Sequence, residues 1–501
     1  MTTPLNIFAL SRIREEEPFN IVKRHESGSR EPSKMKYHEI ESLRLLVDAL
    51  MQAGAPVGAC DGFVYSFQIP QIGKEFDLLK ISQRECLNIE LKSTPVPEQQ
   101  ILVQLQKNRY YLGHLGKRLF LYTVVTGTMD CYKLSLNGDE LLRVEFAEVY
   151  NVVMRFAGAY VTDIDNLFRA SDYLVSPLST PIRFIQGEYF LTQAQEQIKR
   201  NILSMMDASF GSAFFHLTGK PGTGKTLLLY DIAKTLSKNG TTLVIHCGKL
   251  TKGQEKIRTE IEQLDILPVS ELGEDPAPIA RAGYVLVDEA HRIDPARFDL
   301  IESTVRENGL ICVFSSDPEQ ILSVTERSND IAGRIRALPP DGEYILSEKI
   351  RTNRELGSFI QCLKNLSHRE KTRMDYADVE INYANTTQEA QLLLQYYRDL
   401  EYTFINYTKP TSGWTPFAEY EEDFDTHHVI GQEFDKVVML MDDSFYYDDD
   451  GYLQGIPYPD PDYLYPNLFY QGVTRVRDRL ALIVVTAPEL FAKIAGLVKP
   501  D

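Results

Sequence analysis

The 501-residue chain predicts an α/β protein, with one mixed α/β domain followed by two parallel-sheet domains. Three observations carry that prediction. From about residue 186, short β-branched or apolar runs alternate with polar-faced helical segments, as in strands joined by crossover helices. Within that region Gly219-Lys220-Pro221-Gly222-Thr223-Gly224-Lys225-Thr226 has the G-x-x-x-x-G-K-[ST] spacing of a phosphate-binding loop. The N-terminal third has no such loop but carries two strand-like runs bearing carboxylates, Glu75–Leu79 and Leu87–Ser93.

The domain plan is an extension over 1–30, a mixed α/β domain over 31–171, and a linker over 172–188 where Ser, Pro and Gly are scattered. A first parallel-sheet domain takes 189–340 and a second 341–501, divided near Pro339-Pro340-Asp341-Gly342. The expected strands are Phe214–Leu217, Thr242–His246, Tyr284–Val287, Leu310–Phe314, Tyr344–Leu346, Thr403–Asn406, Lys436–Met441 and Leu480–Val485. The acidic stretch Glu419–Asp425 and the Tyr/Pro/Asp-rich insertion at about 442–467 read as solvated loops.

Composition narrows the function. A formal net charge of −18 argues against a protein that coats nucleic acid through general electrostatics, although it leaves room for a local basic channel. No apolar run approaches the roughly 18 residues of a membrane helix. The six cysteines are dispersed without a C-x-x-C pair, which counts against a disulfide framework or zinc module and fits a reducing cytoplasm. A cytoplasmic protein without membrane contact is therefore expected.

The glycines Gly219, Gly222 and Gly224, with Pro221 and Thr223, let the loop curl so that backbone N–H groups face the phosphates of ATP or GTP. Lys225 reaches the β- and γ-phosphates and Thr226 offers its hydroxyl to Mg²⁺. Leu227-Leu228-Leu229 opens a helix whose positive dipole end points at the same anion. The apolar run Tyr284–Val287 leads into Asp288-Glu289-Ala290-His291. Asp288 would hold Mg²⁺ and Glu289 would polarise the attacking water. Gln320, after the strand Leu310–Phe314, is expected at the sheet's C-terminal edge as a γ-phosphate sensor. Gln195 has the amide geometry to read an adenine edge.

These motifs, in this order, resemble superfamily 1 helicases, and more narrowly compact Schlafen-like helicase-type ATPases, over about 186–490. The resemblance implies two RecA-like domains, ATP and Mg²⁺ as cofactors, and a Q-motif at Leu191–Gln195. Asp317–Gln320 is similar to motif III, with Ser316 where many members have glycine. Leu346–Asn353 resembles motif IV, which implies that Arg351 touches the γ-phosphate. Thr426–Asp435 resembles motif V, bringing Gly431 and Glu433 toward the nucleotide. Tyr470–Arg477 resembles motif VI, which makes Arg475 the expected arginine finger. The second half has no phosphate loop of its own, so arginines there suit a lobe that closes on nucleotide held by the first. The intervals His246 to Asp288 and Arg351 to Thr426 are short, leaving little room for duplex-splitting insertions. Translocation on a single strand, or ATP-gated clamping, is the better-supported expectation.

In the N-terminal third, Asp77 and Glu90 lie on successive strands, and Lys92 projects to the same face as Glu90. Two converging carboxylates suit Mg²⁺ or Mn²⁺, and a nearby lysine can orient the attacking water. A helix over Gln99–Leu115 sets Gln106 and Tyr110 one turn apart. This arrangement resembles the restriction-endonuclease-like PD-(D/E)XK nucleases, including the Q-x-x-x-Y helix of nucleases found with recombination helicases. The resemblance implies phosphodiester cleavage, with Glu39 or Glu41 from the helix Tyr37–Leu50 as a further acidic group. The expected partner is nucleic acid, single-stranded DNA before RNA, with a protein partner or a second copy left open. By analogy a nuclease fused to a motor suggests phage restriction or DNA repair. A non-cleaving binding domain beside a nucleic-acid-stimulated ATPase, and a signalling or scaffold NTPase, are the alternatives.

Overall fold

The computed structural model describes residues 2–27, 37–69, 74–168, 175–189, 191–208, 211–317, 319–338, 342–347, 354–368, 376–409, 417–456 and 462–498. The chain divides into two compact units, Met1–Tyr173 and Leu174–Asp501.

The first unit is one six-stranded sheet in chain order: β1 Val64–Gln68, β2 Glu75–Ile81, β3 Glu85–Lys92, β4 Arg118–Val125, β5 Asp130–Leu134 and β6 Leu141–Val144. Only β3 and β4 run parallel, and helix Glu98–Gly113 makes the crossover between them. Leu78, Leu87, Ile89, Tyr122 and Val124 line one face and bury Leu43, Leu46 and Leu50 of helix Tyr37–Gln52. Alternation along the strands sends Asp77, Asn88, Glu90 and Lys92 to the opposite face. The expected N-terminal extension is not separate. Helices Ile7–Ser11 and Glu16–Ser27 bury Ile7, Leu10 and Phe19 in this same core, so the first unit begins at the start of the chain.

The second unit holds two parallel sheets. In the first, β7 Ala213–Gly219, β8 Thr242–His246, β9 Leu264–Pro268, β10 Tyr284–Asp288, β11 Ile311–Ser316 and β12 Gly342–Leu346 lie in the order β12-β7-β11-β10-β8-β9. Their near-continuous apolar runs are what a parallel sheet covered on both faces requires. The second sheet uses β13 Val379–Ala384, β14 Thr403–Asn406, β15 Phe424–Asp425, β16 Phe434–Met441 and β19 Val476–Val485 in the order β13-β19-β16-β14-β15. A small hairpin of β17 Phe445–Tyr447 and β18 Leu453–Gly455 stands beside it.

Three expectations change here. β12 pairs in parallel with β7, so Tyr344–Leu346 belongs to the first sheet and the boundary between sheets falls after 346 rather than at 340. The expected linker is part of the core of the first parallel sheet: Val175, Leu178 and Phe184 are buried with the strands around the phosphate loop. The acidic insertion is a docked element rather than a loop in solvent. Phe445, Tyr447 and Leu453 are buried, and Asp462 accepts from the Val324 and Thr325 N–H groups at 2.7 and 3.0 Å through its carbonyl and carboxylate respectively. The turn near 339–341 lies outside the described residues. No helix among those described is long and apolar enough to cross a membrane.

Candidate functional site

β7 ends in the interior of the first sheet and the chain turns into helix Lys225–Leu236. Gly222 and Gly224 take φ of 79° and 80°, the left-handed region where a Cβ is penalised, which lets the loop curl beneath the helix N-terminus. The Lys225 ammonium donates to the Gly219 and Lys220 carbonyls at 2.6 and 3.1 Å and pairs with Asp317 at 3.0 Å. Phosphate oxygens would compete for that ammonium with three protein oxygens.

Asp288 ends β10 and is buried. Its Oδ1 accepts from the Thr226 hydroxyl at 3.4 Å, and His246, its register partner on β8, brings Nδ1 within 3.4 Å of Oδ2. Glu289 follows with φ of 56°, a strained conformation for a residue with a side chain. Burial opposes its charge, but His291, Arg292, Lys225 and Arg475 outweigh this and hold the carboxyl well below its usual range. Asp288 Oδ2 and Glu289 Oε2 are buried without a hydrogen-bond partner among the described residues. Buried oxygens are seldom left unpaired, and a carboxylate beside a hydroxyl is a donor set that Mg²⁺ takes together with water. These residues fit the metal.

Gln320 and Arg475 meet in the same place. Arg475, 1% exposed, is the largest fully buried side chain among the described residues. Its guanidinium donates to the Gln471 carbonyl at 3.2 Å, to the Thr474 hydroxyl at 3.4 Å and to Gln320 Oε1 at 3.3 Å. Gln320 Nε2 then donates to Asp317 Oδ2 at 2.9 Å, the oxygen that pairs with Lys225. An unbroken polar chain thus runs Arg475–Gln320–Asp317–Lys225, from the second sheet to the phosphate loop. His291, missed as a site residue, steadies it. Burial lowers its pKa to about 4, so the neutral ring accepts the Asp317 N–H on Nδ1 at 3.1 Å.

Gly222, Gly224, Lys225, Thr226, Glu289, Gln320 and Arg475 line a cavity of about 40 Å³ with Gly431 and Glu433 of the second sheet's loops. Val175, Ser176 and Pro177, read from sequence as linker, complete the wall. Small-molecule sites occupy several hundred Å³, so these walls must part to admit a nucleotide. Gly219 and Thr223 shape the loop from behind: Thr223 Oγ1 donates to the Lys220 carbonyl at 2.9 Å. Gln195 departs from its expected role. Its Nε2 donates to the Thr223 and Gly224 carbonyls at 3.3 Å and its Oε1 accepts the Thr192 N–H, so the amide braces the loop instead of facing a base. Ser316, the departure from motif III, accepts or donates to the buried His216 ring at 2.8 Å. Pro221 lies in the loop, and Arg351, with the rest of its motif after residue 347, lies outside the described residues.

In the first unit, the β2–β3 register (Leu78↔Ile89), carried one step on, sets Asp77 opposite Glu90 and, two residues further, Glu75 opposite Lys92. Directly opposed side chains sit about 5 Å apart at Cβ. Asp77 Oδ2 accepts the Leu91 N–H at 2.8 Å; burial, then the Glu90 charge, pushes its pKa up to about 7. Glu90 is 2% exposed and takes Asn88 and Asn108 on Oε1 at 3.1 and 2.8 Å, and Gln104 on Oε2. The helix residues that reach the carboxylate are therefore Gln104 and Asn108. Gln106 is exposed and donates to the Gly138 carbonyl at 3.0 Å, and Tyr110 packs edge-on to Tyr111. Glu41 is bound to Arg44 on its own helix, whereas Glu39 acts electrostatically on Lys23 and Tyr65 beside Asp77. Among the described residues no group of three or more His, Cys, Asp or Glu could hold a metal. Two carboxylates with water remain a sufficient set for Mg²⁺.

Residues 191–354 match the family described as AAA domain. No curated protein matches the chain. Among solved structures, arterivirus nonstructural protein 10, a helicase, aligns at 14% identity over 60% of this chain and 64% of that one, with a TM-score of 0.32. The same helicase in complex with DNA gives 14%, 60%, 66% and 0.32. The flagellar accessory protein FlaH from Methanocaldococcus jannaschii gives 10% identity, 27% and 72% coverage and a TM-score of 0.21. The chain spans less than two thirds of the viral helicase's length. Residues 191–354 thus combine a match to an AAA domain with the geometry of a phosphate-binding loop.

Proposed function

We propose that this protein is an ATP-dependent motor or clamp on nucleic acid, its two parallel-sheet lobes closing on Mg·ATP, with single-stranded DNA as the favoured track. The observation that carries this reading is the chain Arg475–Gln320–Asp317–Lys225, in which an arginine of the second lobe is wired to the phosphate-loop lysine of the first. Such an arginine stabilises charge on the transferring phosphoryl group and ties hydrolysis to the distance between lobes. Lys225 would hold the nucleotide's phosphates, Thr226 and Asp288 would hold Mg²⁺ together with water, and Glu289, kept ionised, would orient the attacking water. Compact superfamily 1 ATPases are the type this reading resembles.

The first unit is read as a metal-dependent phosphodiesterase, with Asp77 and Glu90 on Mg²⁺ or Mn²⁺ and Lys92 toward the attacking water. The amides that enclose Glu90 favour a second reading, a nucleic-acid-binding fold that does not cut. One assay separates these. ATP turnover and cleavage are measured together on plasmid, single-stranded DNA and RNA with Mg²⁺ or Mn²⁺, for wild type, Lys225→Ala and Lys92→Ala. Turnover raised by nucleic acid and lost in Lys225→Ala supports the motor; turnover indifferent to every nucleic acid overturns it. Cleavage lost in Lys92→Ala supports the nuclease, and equal absence of cleavage in both proteins leaves the binding fold.

A further inference from the structure

The carboxylate face of the first unit contains a cation that the expected nuclease chemistry does not use. Lys23, on helix Glu16–Ser27, is 1% exposed, and its ammonium donates to the Ser66 hydroxyl at 2.8 Å. Ser66 in turn donates to the Glu75 carboxylate. Ser66 lies between the register pairs Tyr65↔Leu78 and Phe67↔Phe76, which sets it opposite Asp77, and its φ of 55° is left-handed in mid-strand. Backbone strain of this kind persists where surrounding structure over-determines it. Phe19, one turn earlier on the same helix, is fully buried and packs edge-on to Tyr65, so the helix that delivers Lys23 is anchored in the core. The groups acting on the ammonium are Glu75, Glu39 and Asp77, and the face also carries Glu90, Lys74 and Lys92.

A buried ammonium is tolerated only where opposite charge compensates it. Its compensating charges here include Asp77, one of the two carboxylates assigned to the metal. We propose that Lys23 is an affinity-setting residue of the first unit: an internal cation that shares the Glu39–Glu75–Asp77 charge with the divalent metal and so weakens metal binding at Asp77 and Glu90. This rests on the reading of that pair as a metal site. Being buried and bound to Ser66, Lys23 is not placed to meet a phosphodiester, which separates it from Lys92, whose side chain is half-exposed.

Mn²⁺ binding to the full chain, followed by the electron-spin resonance of free Mn²⁺ without nucleotide, tests this, with Asp77→Asn subtracting any binding elsewhere. Lys23→Met keeps the apolar stem and Lys23→Gln keeps a donor toward Ser66, so either variant that folds suffices. Removing a buried cation that acts on Asp77 should tighten the Asp77-dependent Kd by at least about tenfold in both. Asp77-dependent binding of equal affinity in wild type and both variants overturns the role of Lys23 while leaving the metal site standing. Absence of Asp77-dependent binding in all three overturns the metal site and this inference with it.

Discussion

The nucleotide site and the carboxylate face solve opposite problems with the same residue types. In the second unit, Asp288, Glu289 and Asp317 stand at strand ends, where cations converge on Glu289 and Asp317 and a buried Asp288 oxygen has no hydrogen-bond partner among the described residues. In the first unit, Asp77 and Glu90 stand within strands, where amides answer Glu90, and a backbone N–H and the charge of buried Lys23 answer Asp77. Strand ends of a parallel sheet leave donors and acceptors unspent, whereas mid-strand carboxylates must be satisfied locally or neutralised. A motif at a strand end therefore signals chemistry more strongly than the same letters inside a strand.

The largest expected effect breaks the first side of that contrast. Arg475→Ala should lower ATP turnover by about 10³-fold or more, with Arg475→Lys restoring little because a point charge does not replace the planar fork. Steady-state turnover at saturating ATP reads it. Glu289→Gln should follow, at about 10²- to 10³-fold in kcat with nucleotide binding retained, since it removes the group that orients water. Equilibrium binding of a fluorescent ATP analogue separates the two effects.

A third prediction sharpens the contrast through pH. His216 and His427 are both held near pKa 4, mainly by burial. Their folded values lie below the unfolded value of about 6.5, so the unfolded chain binds more protons between those limits. The second unit should therefore lose stability as pH falls from about 6.5 toward 4, by roughly 1–3 kcal/mol per histidine. Asp77 has the opposite sign. Its folded pKa of about 7 lies above the unfolded value, so the first unit should gain stability as pH falls from 7 toward 4. Denaturation monitored by hydrogen exchange in each unit, with chelator present, reads both slopes; Asp77→Asn should flatten the first unit's slope.

The smallest expected effect concerns the segment read from sequence as linker. Gly253 on helix Lys252–Glu260 is packed so closely that an added Cβ would strike the Leu178 carbonyl. Gly253→Ala should displace Val175–Pro177 from the nucleotide wall and raise KM for ATP a fewfold, at about 1–3 kcal/mol of stability.

Most of the nucleotide site was legible because its residues are tied to short contiguous motifs: loop spacing carries Lys225, strand-then-polar runs carry Asp288 and Gln320, and the resemblance to motif VI carries Arg475. Ser176 and Pro177 were not, because they reach the site through packing of Val175 and Leu178, which no local pattern encodes. The strand β9 and the edge strand β13 escaped because Leu264–Pro268 and Val379–Ala384 mix polar with apolar residues. The short interval after His246 thus holds a strand of the sheet itself. In the first unit, alternation revealed the shared face of Glu90 and Lys92, but helix spacing alone did not tell Gln104 and Asn108 from Gln106 and Tyr110. Lys23 was invisible because Ser66, to which its ammonium donates, lies on a strand 43 positions away that no local pattern ties to its helix.

The central claim is that Arg475 acts on the phosphate loop through Gln320. A double-mutant cycle on ATP turnover, using Gln320→Ala and Arg475→Lys, tests it most directly. The account predicts that Gln320→Ala slows the wild type by about tenfold or more and slows Arg475→Lys little further. An equal Gln320→Ala penalty in both backgrounds would contradict it.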